Sequence, residues 1–200
     1  MLTAPLFLNS LEKKMKKTVT TLALLSAFTV PHAIAENAPV MFSSTGFNAP
    51  ANTTTVKGFR LAMLHGKVDN LVGVDFALFG LSETKTTMGA NLNFFGAAKV
   101  TEQMTGASFG LVNIMQGEVL GANFGIVNLT NNVEGANISV VNYSKGNTMV
   151  DVGIVSFSKE SLVQVGIFNK TEKITAVQVG IWNCADNGFF KCFPLFNIPK

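Results

Sequence analysis

An octapeptide unit that recurs at nearly constant spacing constrains this chain more than any other feature. Residues 121–128 read GANFGIVN and residues 135–142 read GANISVVN, fourteen residues apart. Aligned on the closing residue, further copies are GASFGLVN ending at Asn113, MVDVGIVS at Ser156, LVQVGIFN at Asn169, AVQVGIWN at Asn183 and FKCFPLFN at Asn197, at intervals of 13 to 15 residues. Looser relatives end at His65, Gly80 and Gly96, which makes about ten units between Val56 and Ile198. Self-similarity at fixed period is the signature of a stacked repeat architecture.

Residues within a unit alternate with the strand period of two. The alternation places Ala122, Phe124, Ile126 and Asn128 on one face, expected to be core, and Asn123, Gly125 and Val127 on the other. One unit offers about three apolar side chains, worth about 1.5 to 3 kcal/mol each. Ordering costs about 1 to 2 kcal/mol for each residue. A unit therefore needs stacked neighbours to fold.

The expected fold is all-β: a β-solenoid of about ten 14-residue units, with an antiparallel up-and-down β-barrel as the alternative. The closing asparagines separate the two. Successive strands of a barrel would place them at alternate ends, whereas parallel coils would stack Asn113, Asn128, Asn142, Asn169, Asn183 and Asn197 in one ladder. Such a ladder pairs amides that would otherwise be costly to bury. Gly80, Gly96 and Ser156 interrupt it.

Residues 1–35 have the three zones of a secretory signal. Lys13 to Lys17 carry positive charge, Val19 to Val30 are mostly apolar, and Ala33-Ile34-Ala35 forms a small-x-small cleavage site; Met15 offers a later start. Cleavage removes four lysines and one glutamate from fifteen basic and twelve acidic residues, leaving eleven of each. Neutrality gives nucleic acid no basic surface to bind. Residues 36–55 read as a lead-in or cap, 56–200 as the repeat domain, and 184–200 as its terminal cap. Cys184 and Cys192 are expected to form a disulfide after export. The destination expected is the periplasm, outer membrane or cell surface of a Gram-negative bacterium.

The units GASFGLVN, GANFGIVN, VQVGIFN and VQVGIWN resemble the surface-repeat family of secreted bacterial proteins first noticed in Leptospira, built on Gly-φ-Gln-φ-Gly-φ-φ-Asn. The segments GFRLAMLHGKVDNLVGVDFALFGLSETKTT and CADNGFFKCFP resemble a Vibrio-type family of envelope proteins. Both resemblances imply an envelope location and a repeat architecture, and neither implies an activity.

Chemistry-bearing residues are sparse. His65 fills the slot that later units give to Asn, and its sharper reading pairs it with Asp69. Asp75 and Asp151 sit in the polar slot, while Glu102, Glu118, Glu134 and Glu172 fall in turns and read as a solvated edge. No catalytic residue, cofactor or metal is expected; the functional expectation is a non-catalytic secreted envelope scaffold, structural or binding, with a small outer-membrane β-barrel, a pore or host-contact protein, as the alternative. An apolar stripe begins at Val112 and continues through Val127, Val141, Val155, Phe168, Trp182 and Phe196. Contiguous exposed apolar surface marks a partner or membrane contact. The stripe is the candidate binding surface, for a protein, a glycan, a membrane or a second copy.

Overall fold

The structure is a computed structural model that describes residues 37–51 and 53–200. The expected signal segment, 1–35, lies outside them. Among the described residues the strands are β1 (Asn37–Ser44), β2 (Phe47–Ala49), β3 (Thr55–Ala62), β4 (His65–Met115), β5 (Glu118–Thr130), β6 (Asn132–Ser144), β7 (Asn147–Ala185) and β8 (Cys192–Asn197). They form one sheet in the order β2-β1-β3-β4-β5-β6-β7-β8. Pairing is parallel from β1 through β3, β4, β5 and β6 to β7. Parallel neighbours with no helix between them make the chain a β-solenoid of about eight turns at about 15-residue spacing. The alternative barrel required antiparallel neighbours.

The repeat sets the register. Gly106, Ala107 and Ser108 lie beside Gly121, Ala122 and Asn123, which lie beside Gly135, Ala136 and Asn137. Equivalent residues thus stack at the inter-strand spacing of about 4.8 Å.

Ahead of the corner the two faces are the reverse of the sequence expectation: Asn123 and Asn137 are fully buried, whereas Ile126 is 50% exposed and Ile138 is also exposed, and only the corner Asn128 is buried as expected. Phe124 lies half-buried on the outside. The parity breaks because the strand turns a corner between Gly125 and Asn128. Ile126 and Val127 both point outward there, and the inward series runs Asn123, Gly125, Asn128, Thr130. Small residues suit so narrow an interior: a Cβ on Gly125 would lie 2.9 Å from Asn113 Nδ2 and 3.2 Å from Asn128 Oδ1.

Apolar core is confined to one inward column and its neighbours. Met41, Val56, Val68 and Leu71 cluster in the early coils, and Met104, Met115, Val119 and Val133 with Ala98 and Val100 in the middle. At Thr148 and Ser161 the column turns polar, with Thr148 beside Val133 and its hydroxyl 3.1 Å from Ser161 Oγ, and a fully buried apolar side chain returns at Ile174.

Both ends reverse direction. β2 pairs antiparallel with β1, so the expected lead-in enters the sheet as a hairpin. β8 pairs antiparallel with β7, which makes the last sequence unit a returning strand instead of a coil. That reversal is one reason the coils are fewer than the ten units counted in the sequence. The Cys184–Cys192 disulfide ties this final hairpin.

Candidate functional site

Polar side chains inside the coils form ladders of hydrogen bonds. At the corner, Asn113 Nδ2 donates to Asn128 Oδ1 at 2.8 Å, and Asn128 Nδ2 donates to Asn142 Oδ1 at 3.1 Å. Asn142 then reaches Ser156 Oγ at 3.4 Å, and Asn169 donates to Asn183 at 2.8 Å. Asn197 does not stack on Asn183. Because β8 is antiparallel, Asn197 lies beside Gln178 and its amide donates to the Phe190 carbonyl.

A second ladder, which the sequence reading placed on the outer face, runs through the polar slot. Asn123 Nδ2 donates to Asn137 Oδ1 at 2.9 Å, and Asn137 Nδ2 donates to Asp151 Oδ1 at 3.1 Å. Gln164 reaches Asp151 Oδ2 at 3.5 Å, and Gln178 donates to Gln164 Oε1 at 2.7 Å. Thr148 also donates to Asp151 Oδ2 at 2.6 Å. Burial pushes the Asp151 carboxyl above its ordinary range, while hydrogen bonds from Thr148, Asn137, Gln164 and Ser161 oppose that shift.

Asp75 occupies the same slot near the other end, beside Arg60. Arg60 grips it with both arms of the fork, Nε to Oδ1 at 2.9 Å and Nη2 to Oδ2 at 2.6 Å. Ser82 bonds to both partners, and Arg60 Nη1 donates to the Glu83 carbonyl. A buried pair of this kind is costly to desolvate and depends on such added bonds. Its role is structural: it carries the ladder slot through coils that have no Asn there.

The remaining chemistry-bearing residues do not converge. Asp69 is held by Lys85 at 2.9 Å, which raises the lysine pKa through that hydrogen bond and charge, and His65 is half-exposed. Glu118 accepts from Asn132 at 3.3 Å, and Glu160, at the charged corner, pairs with Lys173 at 2.8 Å. Among the described residues no group of three His, Cys, Asp or Glu side chains could hold a metal ion.

The outer surface carries the concentrated feature. The stripe residues Val127, Val141 and Val155 stack in register on the outside and are half-buried by one another, as is Phe168; Trp182 is 47% exposed. Phe196 leaves this row, since it lies beside Val179 on the reversed strand. It joins Phe189, Phe190 and Phe193 around an apolar cleft of about 270 Å³ at the capped end. The sequence reading missed the row beside the stripe. Ile126, Val140, Ile154, Ile167 and Ile181 are all exposed. The signal was present in the sequence, because every one of these units puts two consecutive apolar residues before the corner residue.

Together the two rows make a convex ridge. It continues upstream through Leu111 and the pair Phe94 and Phe95, the latter 65% exposed. Charged residues gather elsewhere in the coil. Lys159 and Glu160 follow Ile154 by five and six residues, and Glu172 and Lys173 follow Ile167 by the same intervals, close to half a circuit. Exposed apolar side chains also flank the ridge, with Ile138, Val165 and Val179 on one side and Leu129 and Tyr143 on the other, so the apolar surface is wider than the corner itself.

The Cys184–Cys192 disulfide suggests an oxidising, extracytoplasmic milieu. No protein-family model matches the chain, and no curated protein or solved structure matches it.

Proposed function

We propose that this chain is a non-catalytic, exported repeat scaffold of the Gram-negative cell envelope, working through its outer apolar ridge. The observation that carries the reading is the double row of exposed apolar side chains along the solenoid. A ridge this long exceeds the isolated surface hydrophobes of an ordinary soluble domain. The interior is consistent with a scaffold, because its amide ladders hydrogen-bond from coil to coil. The resemblance to secreted surface-repeat and envelope proteins points in the same direction, as does the disulfide.

The test is cell fractionation of a Gram-negative host expressing the full chain. Wild type is expected in the envelope fraction. Trp182→Ala is expected to keep the fold, judged by far-ultraviolet circular dichroism, and to shift at least severalfold into the soluble fraction. Unchanged envelope retention of a folded variant would overturn the reading.

A further inference from the structure

The chain contains a single Asn-Gly dipeptide, Asn187-Gly188, in the turn that leads from β7 into β8. Asn-Gly is the dipeptide most prone to attack on itself in water, because glycine has no side chain to keep its amide nitrogen away from the preceding Asn Cγ. Here both reacting groups are engaged. The Asn187 side chain pairs with a backbone as a strand would: Nδ2 donates to the Ile174 carbonyl at 2.8 Å, and Oδ1 accepts from the Ile174 amide at 2.8 Å. Ile174 is fully buried one coil earlier, so this pairing closes the last coil over the core. The Gly188 amide donates to the Ala185 carbonyl at 3.0 Å, and the Lys200 amide donates to the Asn187 carbonyl at 3.0 Å. Packing requires the glycine, since a Cβ at Gly188 would lie 2.5 Å from Asn197 Nδ2 and 2.6 Å from the Phe190 carbonyl oxygen.

We propose that Asn187-Gly188 is a deamidation site, held shut by the closed cap and released when the C-terminal hairpin opens. In the open hairpin the Gly188 nitrogen gives up its proton and attacks Asn187 Cγ. The new C–N bond forms as the Cγ–Nδ2 bond breaks, and Nδ2 takes a proton and leaves as ammonia. Water then opens the succinimide at either carbonyl, leaving aspartate or isoaspartate, and nothing is oxidised or reduced. The product cannot close the coil as the amide did. A carboxylate has no hydrogen to donate, so the Ile174 carbonyl loses its partner and meets a negative oxygen in its place. Isoaspartate also lengthens the backbone by one carbon, next to the bridge between Gly188 and Pro199. Opening is thereby recorded in a covalent change that reclosure does not undo. The Cys184–Cys192 disulfide spans this segment, so its reduction is the event that exposes the site. The site lies at the capped end and does not depend on the ridge.

The oxidised chain, the reduced chain and the reduced chain unfolded in urea are incubated side by side in mildly alkaline buffer, and Asn187 is followed by peptide mapping with mass spectrometry. Asn187 is expected to convert at least about tenfold more slowly in the oxidised chain than in either of the others, since a folded segment reacts only through its rare openings. Asn187→Asp stands in for the product. In that variant, oxidised, amide exchange at Gly188 and Phe189 is expected to quicken at least about tenfold, while the Asn128 amide exchanges as in wild type and reports intact coils. Two results overturn the proposal: equal conversion of Asn187 in the oxidised and reduced chains, or unchanged exchange at Gly188 and Phe189 in Asn187→Asp.

Discussion

Gly121 shows how tightly the coils are stacked. Its φ is 142°, and a Cβ built there would lie 1.9 Å from the carbonyl oxygen of Gly106 in the preceding coil. Backbone cannot retreat from such a contact without breaking the ladder beside it. Gly121→Ala is expected to cost at least about 3 kcal/mol, from strain and overpacking together. Gly46 is the contrast: its φ of 69° also favours glycine, but a Cβ there meets nothing within 4 Å. Gly46→Ala should cost about 1 kcal/mol. Urea midpoints of the two variants measure the difference. Asp151 makes a second residue-level prediction, because burial holds its carboxyl above the ordinary range. The folded chain then binds this proton more tightly than the unfolded chain. Its contribution to stability is complete below the ordinary aspartate value, about 3.9, and is lost as pH rises through the raised folded value. Asp151→Asn keeps a ladder-forming side chain and removes the titration. The wild-type urea midpoint, taken relative to the variant, is expected to fall as pH rises above about 4. A constant difference across that range would contradict the assignment.

At the scale of the strand, stability resides in the polar ladders, and the apolar exterior contributes less to it. Asn128 donates to Asn142 Oδ1 and to the Asn123 carbonyl, and accepts from Asn113. Asn128→Ala removes these contacts inside a closed coil and is expected to cost about 2 kcal/mol, the range for stranded buried polar groups. Ile126→Ala trims an exposed crest and should cost under about 1 kcal/mol. A simple apolar-inside reading predicts the opposite order, so thermal melts of the two variants decide between them. The same contrast explains what the sequence made legible. Spacing revealed the repeat, the parallel stacking and the corner asparagines, because each depends on position along the chain. Spacing could not say which side of the strand faces inward, since alternation is blind to direction and Ile126-Val127 breaks its parity. Gly125 held the missing information: a position kept small beside a buried Asn marks the inside of a narrow coil. The last unit misled for another reason. FKCFPLFN carries the repeat pattern, yet the strand is reversed by the hairpin that joins Ala185 to Cys192.

Across the whole molecule, the two hairpins solve one problem at opposite ends. A parallel solenoid ends in unpaired strand edges, and an open edge is a template for another chain. Here β2 runs antiparallel along one end and β8 along the other. β8 carries Pro194, which has no amide hydrogen to donate, and the Cys184–Cys192 disulfide fastens it to β7. The chain-entropy model credits a loop this short with about 2 to 3 kcal/mol. Cys184→Ser/Cys192→Ser should therefore loosen the C-terminal hairpin first and expose the edge of β7, while β2 still covers the other end. With one open edge per copy, pairing closes at two molecules, because a filament needs an open edge at both ends. The double variant, kept in mild detergent to cover the ridge, is expected to form a tail-to-tail dimer about twice as long as the wild-type particle. Sedimentation velocity and small-angle scattering read mass and length together. A variant that stays monomeric, or one that grows into fibres, would show that β8 is not what seals this end.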